Sequence, residues 1–140
     1  MKGACLCGAV EFEVAGQLPN LYHCYCSLCQ KQTGGSHNTA TLVDEANFNW
    51  LKGQDAITSY QKGTGFSAHY CQNCGCPAPN TLDATGKYWI PAGLLEGPVT
   101  SQVVLHMHLD SRPPWQTIPT HGHQFATMPS LATIIKLLQA

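Results

Sequence analysis

Three cysteines fall within the six residues from Cys24 to Cys29, and their side chains could bind a metal ion. Cys24, Cys26 and Cys29 supply three sulfur ligands, one fewer than the four of a closed structural zinc site. Catalytic zinc sites keep one coordination position for an external ligand. Zn²⁺ binds thiolates and acts as a Lewis acid on oxygen. We therefore expect a catalytic zinc at these cysteines, acting on a small thiol.

Four further cysteines have the spacing of a second, closed metal site. Cys5 and Cys7 are two residues apart, so on an extended backbone their side chains point to the same side. Cys71 and Cys74 have the two-residue spacer of a zinc knuckle, and Gly75 can take the positive φ that follows such a turn. These two pairs together predict a structural zinc with four sulfur ligands.

Other interpretations of the cysteines remain open at this stage. Cysteine is among the most buried residue types, so free thiols in a core are the simplest alternative, although the paired spacings argue against it. A redox disulfide between Cys71 and Cys74 would need the alternating βα pattern that this chain lacks. At the three-cysteine stretch, a fourth protein ligand would close the site and make it structural. The candidates for that ligand are His23, Cys76 and a remote histidine.

Cationic and imidazole side chains are further candidates. Lys31 is the cation nearest to the three cysteines, where it would lower their pKa and hold an anionic part of a substrate; a solvated surface lysine is the alternative. His106 and His108 share one face of a predicted strand, and His121 and His123 form another pair. Because no carboxylate or third histidine stands at ligand spacing, we interpret these histidines as core or surface residues.

Composition limits the partners and the compartment. A chain of 140 residues has room for one ordinary domain. Seven Lys and Arg against eight Asp and Glu, with no basic run, argue against binding to nucleic acid or an anionic membrane. No stretch resembles a signal peptide or approaches the ~20 apolar residues of a membrane span. We therefore expect a cytoplasmic protein, in which eight cysteines indicate metal binding rather than disulfides.

The elements that must position these cysteines are mainly strands. Val10, Phe12 and Val14 alternate with polar residues, the period of a half-buried strand. Further short segments predict strands, and the first three of them suggest an antiparallel meander. They are residues 40–43, 48–51, 57–60, 66–70, 88–90 and 103–109. In the last segment the alternation favours one buried face.

Helical signals are few. Glycine after residue 33 limits any helix near the three cysteines to about two turns, so we expect these cysteines and Cys71–Cys74 on turns. A helix at the carboxyl end is clearer, because Ser130 can cap it and apolar residues recur at helical spacing. Those residues are Leu131, Ile134, Ile135 and Leu138. The sequence predicts a mostly β fold with a short C-terminal helix.

The motifs resemble those of the glutathione-dependent formaldehyde-activating enzymes, a family that includes centromere protein V. The resemblance covers residues 3–115 and rests on four ordered segments. The segments are Gly3-Ala4-Cys5-Leu6-Cys7-Gly8-Ala9-Val10, His23-Cys24-Tyr25-Cys26-Ser27-Leu28-Cys29-Gln30-Lys31, Tyr70-Cys71-Gln72-Asn73-Cys74-Gly75, and His106 with Pro114-Trp115. The tail from 120 to 140 lies outside the resemblance; it either packs on a neighbouring subunit, as in a homodimer, or covers the site.

The resemblance implies a tent-like fold of antiparallel β sheets and a carbon–sulfur lyase that combines glutathione and formaldehyde as S-hydroxymethylglutathione. It assigns structural zinc to Cys5, Cys7, Cys71 and Cys74, and a second, catalytic zinc to Cys24, Cys26 and Cys29. Tyr25, Gln30 and Cys76 stand where the family commonly has histidine, arginine, and serine or threonine. A protein of another class, a zinc-stabilised binding module with a vestigial second metal site, is the alternative function.

Overall fold

Strands dominate the chain, as predicted, and only two α-helices accompany them. This computed structural model describes all residues, 1–140. The strands are β1 (Lys2–Ala4), β2 (Glu11–Val14), β3 (Leu21–Cys24), β4 (Asn38–Asp44), β5 (Phe48–Lys52), β6 (Ile57–Gln61), β7 (Ser67–Cys71), β8 (Asn80–Leu82), β9 (Lys87–Pro91), β10 (Val103–Met107) and β11 (His123–Gln124). The helices are α1 (Ser27–Thr33) and α2 (Leu131–Leu138).

The chain divides into two compact units, each made of two separate segments. The first unit comprises Met1–Leu18 and Leu42–Val99, and the second comprises Pro19–Thr41 and Thr100–Ala140. Each unit is described by itself below.

The first unit is built from antiparallel pairings around an apolar core. Strand β2 lies between β1 and β5, strands β6 and β7 pair with each other, and β9 lies between β8 and the end of β4. Phe12 and Val14, from the alternating stretch of β2, are fully buried. They pack with Val43, Ile90 and Leu94. The predicted alternation in β2 is therefore confirmed.

The second unit contains a sheet in the order β11-β10-β3-β4. Strand β3 pairs antiparallel with β4, whereas β10 pairs in parallel with both β3 and β11. Helix α2 packs against β10. The Ser130 hydroxyl accepts a hydrogen bond from the Thr133 backbone N–H at 3.2 Å, and Ile134 and Leu138 are buried. The C-terminal helix and its cap are confirmed.

The predicted strand segments are present, but their pairing differs from the expected meander. Strands β4, β5 and β6 follow one another in sequence, yet β4 pairs with β3 and β9, β5 with β2, and β6 with β7. The prediction of one buried face for β10 was also wrong. His106, on the face expected to be polar, is buried together with Leu105 and Met107. The reason is that the rings of His23 and Tyr25 pack against the His106 ring on that face.

Neither α-helix has the length and apolar character needed to cross a membrane.

Candidate metal centres

Cys5, Cys7, Cys71 and Cys74 converge in the first unit, and we call them the four-thiol group. Their Sγ atoms all lie within 4.8 Å of one another. The Sγ atoms of Cys5 and Cys7 are 3.7 Å apart, and those of Cys7 and Cys71 are 3.8 Å apart. A tetrahedral zinc with Zn–S bonds of about 2.3 Å would place its sulfurs about 3.8 Å apart. The donor type, number and spacing therefore fit a closed zinc site.

Two short segments position the four-thiol group. Cys5 follows the end of β1, and its backbone N–H donates to the Val10 carbonyl at 3.0 Å. Cys71 ends β7 and begins a tight turn in which the Gly75 N–H donates to the Cys71 carbonyl at 2.8 Å. Gly75 has a φ of +72°, which confirms the expected knuckle turn and suits glycine, the residue without a Cβ penalty there.

Hydrogen bonds from the backbone and from neighbouring cysteines shift the pKa values of individual thiols in the four-thiol group. Burial alone would raise the pKa of Cys5, but the hydrogen bond from Val10 N–H and those from Cys7 and Cys71 lower it. A hydrogen bond with the Cys76 backbone is the largest cause that lowers the pKa of Cys74, to about 6. The group therefore already favours thiolate at some of its members, the form that binds metal.

Cys24, Cys26 and Cys29 converge in the second unit, and we call them the three-thiol group. Their Sγ atoms also lie within 4.8 Å of one another. Cys24 ends β3, Cys26 is the N-cap of α1, and Cys29 lies inside that helix. The three cysteines thus occupy a strand end, a cap and a helix, and not a single turn as expected. The helix has seven residues, which agrees with the predicted limit of about two turns.

Hydrogen bonds from the other two cysteines make Cys26 the thiol with the lowest pKa of the three. Hydrogen bonds from Cys24 and Cys29 lower the pKa of Cys26 to about 2, and the backbone N–H groups of Cys29 and Leu28 add to this effect. The Cys29 N–H lies 3.3 Å from the Cys26 sulfur. The same hydrogen bonds among the three sulfurs raise the pKa of Cys24 to about 11 and also raise that of Cys29. Without metal, one thiolate is thus held between two thiols.

Asn38 supports the three-thiol group and was not predicted. Its Nδ2 donates a hydrogen bond to the Cys29 sulfur at 2.9 Å. Asn38 is buried and pairs with Cys24 across β3 and β4, and paired residues share a face of a sheet. A lone asparagine has no characteristic spacing to the cysteines, so only the strand pairing reveals this contact.

No fourth metal-binding side chain joins the three-thiol group. Neither group that could hold a metal ion includes a histidine. His23 neighbours Cys24 on β3, and successive strand residues point to opposite faces, so His23 lies on the other face. Cys76 belongs to the first unit, where it packs against Cys5, Cys71 and Val10. The alternative of a ligand from His23, Cys76 or a remote histidine is therefore not what the structure shows.

Three histidines and a tyrosine pack together in the second unit, on the face opposite Cys24. This histidine–tyrosine cluster consists of His23, Tyr25, His37 and His106. The ring centroid of His23 is 4.0 Å from that of His37 and 5.1 Å from that of His106. Burial, with a smaller effect of the neighbouring imidazoles, lowers the pKa of His23 to about 3. Burial also lowers the pKa values of His37 and His106, so all three rings are neutral near pH 7.

The cluster and the helix are joined through Gln30. Its Nε2 donates to the carbonyls of Tyr25 at 2.7 Å and Ser111 at 2.8 Å, so this side chain bridges two backbone segments. Lys31 is exposed in the last turn of α1. Arg112 follows Ser111, and its charge acts on the Tyr25 hydroxyl. Lys31 thus lies on the helix that carries Cys29, and Arg112 lies beside the histidine–tyrosine cluster.

The two units differ in charge. The second unit has three cationic side chains and one acidic side chain, a formal charge of +2. They are Lys31, Arg112, Lys136 and Asp110. The first unit has four lysines and seven acidic side chains, a formal charge of −3. The unit with the three-thiol group therefore has a positive formal charge although the whole chain is slightly acidic.

Comparison with known proteins gives three findings. The sequence model of the family described as "Glutathione-dependent formaldehyde-activating enzyme" matches residues 1–111. A Halomonas elongata protein, provisionally named a glutathione-dependent formaldehyde-activating enzyme, is 32% identical over 80 residues, covering 53% of this chain and 51% of the relative. The match thus spans about half the length of that relative. A crystal structure of a Rhodobacter sphaeroides protein aligns with a TM-score of 0.58 and 27% identity, covering 74% of this chain and 100% of that one.

Proposed function

Because this chain belongs to the family of glutathione-dependent formaldehyde-activating enzymes, we propose that it is a zinc-dependent carbon–sulfur lyase acting on a small thiol adduct. The proposed reaction joins glutathione and formaldehyde reversibly as S-hydroxymethylglutathione. Cys24, Cys26 and Cys29 are the proposed catalytic metal ligands.

The observation that carries this proposal is the contrast between the two cysteine groups. One has four sulfurs and the other has three, with no histidine, carboxylate or further cysteine beside them. Three protein ligands and one remaining position distinguish catalytic zinc sites from structural ones. Zinc held by the three-thiol group would supply a position for the substrate sulfur and Lewis acidity toward an oxygen of the adduct.

The reaction forms one bond between sulfur and carbon. The thiol loses its proton and its sulfur bonds to the formaldehyde carbon. The C=O double bond becomes a single bond and its oxygen takes up a proton, so no oxidant or reductant is needed. The chain contributes the arrangement of the ligands. Hydrogen bonds from Cys24 and Cys29 lower the pKa of Cys26, which favours its thiolate, whereas Cys24 and Cys29, whose pKa values are raised, would have to release protons for a metal to bind. Asn38 holds the Cys29 sulfur in place.

Charge supports a thiol that carries carboxylates. Lys31 lies on the helix that carries Cys29, and Arg112 follows the residue to which Gln30 of the same helix is bonded. Neither cation forms an ion pair, since the two ion pairs in the structure involve Lys52 and Lys87. We propose that Lys31 binds an anionic part of the substrate and that Arg112 adds to the attraction. Glutathione, with two carboxylates, fits this field.

A structural zinc in the four-thiol group completes the proposal. Structural zinc contributes roughly 10–16 kcal/mol in finger peptides, which exceeds the net stability of many small domains. All eight cysteines are free, which supports a reducing compartment, and we propose the cytoplasm.

Metal analysis combined with exchange NMR tests this function. The variants are the triple substitution Cys24→Ala/Cys26→Ala/Cys29→Ala and the matched control Cys76→Ala, which removes a thiol outside both groups. We expect two zinc ions per chain in the wild type and the control and one in the triple variant. The wild type and control should also speed exchange between glutathione and its formaldehyde adduct. One zinc in every protein, with no faster exchange, would leave a zinc-stabilised binding module as the better description.

A further inference from the structure

Tyr25 separates two cysteines of the three-thiol group, and its own atoms are held from several directions. Its backbone N–H donates to the Met107 carbonyl at 3.0 Å, and its carbonyl accepts from Gln30 Nε2 at 2.7 Å. The Tyr25 hydroxyl lies 3.3 Å from His23 Nδ1. The side chain is only 2% exposed. Because Tyr25 lies between Cys24 and Cys26 in the chain, contacts that hold its backbone and ring also restrain the backbone that joins those two cysteines.

The rings around Tyr25 are themselves held by a hydrogen-bonded chain. The Ser36 hydroxyl donates to Gln116 Oε1 at 2.6 Å and lies 2.7 Å from His37 Nδ1. A hydroxyl has one hydrogen, so toward His37 the Ser36 oxygen can only accept. His37 therefore carries its proton on Nδ1. Its ring is fixed 4.0 Å from that of His23 and 5.0 Å from that of Tyr25.

Gln116 is oriented in turn by its own loop. Its Nε2 donates to the Thr117 carbonyl at 3.1 Å, which determines which amide atom faces Ser36. Arg112 Nη1 donates to the carbonyls of Pro113 and Gln116. Residues 112–117, more than eighty residues beyond the three-thiol group, thus fix the orientation of Ser36 and, through it, of the His37 ring that packs on Tyr25.

His106 completes the enclosure from the opposite side. Burial lowers the pKa of His106, and hydrogen bonding with the His121 backbone partly opposes this effect. The His106 Nδ1 is buried without a partner in the protein. Gly122, with a φ of +85°, lets the 121–123 segment approach, because a Cβ there would lie 3.0 Å from the Val104 carbonyl and 3.2 Å from the His106 ring. The Tyr25 ring is therefore enclosed on the face of the sheet opposite that of Cys24.

We propose that Tyr25 is the positioning residue of the three-thiol group, and that Gln116, Ser36 and His37 act through it to fix the spacing of Cys24 and Cys26. This inference rests on the proposed role of the three thiols as metal ligands. Partners behind the ligands of a metal site typically change its affinity by roughly 10–100-fold when they are removed.

Metal affinity measured at both groups in the same protein tests the proposal. Cobalt or zinc is titrated against a chromophoric chelator, with the four-thiol group as an internal control. In Tyr25→Phe and Gln116→Ala we expect about tenfold weaker binding at the three-thiol group and unchanged binding at the four-thiol group. Ser36→Ala should weaken binding at the three-thiol group as much as Gln116→Ala does. Ser36→Thr, which keeps the hydroxyl, should bind metal there with the wild-type affinity. Gln124→Ala, which removes an amide bonded only to the Pro119 carbonyl, is the matched control.

The outcomes separate this inference from the proposed function. A wild type that binds one metal ion per chain would overturn both. A wild type that binds two, with the same affinities in Tyr25→Phe and Gln116→Ala, would overturn only the positioning role. Nitrogen-15 NMR of the imidazoles gives a second measurement: we expect His37 to be protonated on Nδ1 in the wild type, and protonation on Nε2 would overturn the chain of hydrogen bonds. A loss of affinity shared equally by both groups would indicate general destabilisation and contradict the proposal.

Discussion

Asn38 Nδ2 donates a hydrogen bond to the sulfur of Cys29 at 2.9 Å. The two residues come from different elements, β4 and α1, and the contact brings a neutral donor to a thiol whose pKa is raised by its neighbours. A donor at this distance stabilises a thiolate and restrains its direction.

Replacing Asn38 should therefore weaken the three-thiol group. In Asn38→Leu, a change of similar volume, we expect metal affinity at this group to fall by roughly 10–100-fold, because the Cys29 thiolate loses its donor. Competition with a chelator measures the change. Asn49→Leu, which removes an exposed amide bonded to Glu13, should leave the affinity unaltered. Equal affinities in the two variants would show that Asn38 does not act on Cys29.

The two cysteine groups should differ in their effect on folding. Cys71→Ser removes a ligand from the four-thiol group inside a core that also includes Cys5 and Val10, and we expect it to unfold the protein. Cys26→Ser removes a ligand from the other group at the start of a seven-residue helix, and we expect it to stay folded with one metal ion fewer. Circular dichroism and metal analysis report the two outcomes. Equal loss of the dichroism signal would contradict the division into structural and catalytic sites.

Gln30 should contribute to stability through its two backbone contacts. Gln30→Leu removes donors from the Tyr25 and Ser111 carbonyls, and each such hydrogen bond is worth about 0.5–1.5 kcal/mol net. We expect the free energy of unfolding in urea to fall by about 1–3 kcal/mol. Gln32→Leu, on the same helix and without such contacts, is the control, and a comparable loss there would assign the effect to the helix surface.

Stability should depend on pH through the histidine–tyrosine cluster. The folded pKa of His23 is about 3, and burial also lowers that of His37, whereas an unfolded histidine has a pKa of about 6.5. Between these values the unfolded chain binds more protons, so this contribution is complete above about pH 6.5 and is lost as pH falls toward the folded pKa.

Urea unfolding at pH 7.5 and pH 5.5 measures this dependence. We expect a lower free energy of unfolding at pH 5.5 in the wild type and a smaller difference in His37→Gln, which removes one of the neutral rings. Any acid effect on the four-thiol group is common to both proteins and cancels in the comparison. Repeating the pair in the Cys24→Ala/Cys26→Ala/Cys29→Ala variant excludes an effect through the three-thiol group. An identical difference in both would mean that His37 titrates alike in the folded and unfolded chains.

Sequence alone determined the features that depend on short-range spacing. The Cys-x-Cys, Cys-x-x-Cys and three-cysteine segments predicted two groups of sulfurs, and both groups form. The alternation of apolar residues was sufficient to predict strand β2 and its buried face, and the Ser130 cap with apolar residues at helical spacing was sufficient to predict helix α2. In each case the period of a strand, a helix or a turn fixes which side chains point to one side, so neighbours in sequence suffice to predict the geometry.

Only the tertiary structure decided which segments meet. Strand pairing relies on backbone hydrogen bonds that are alike for every residue, so the sequence did not reveal that β5 joins β2 or that β10 runs parallel to β3. The pairing of β3 with β4 places Asn38 beside the three thiols, and the pairing of β10 with β3 places His106 beside His23. The fold also brings Gln116 to Ser36. The sequence therefore determined the three sulfurs of Cys24, Cys26 and Cys29, whereas the fold decided that no fourth side chain joins them and which residues surround them.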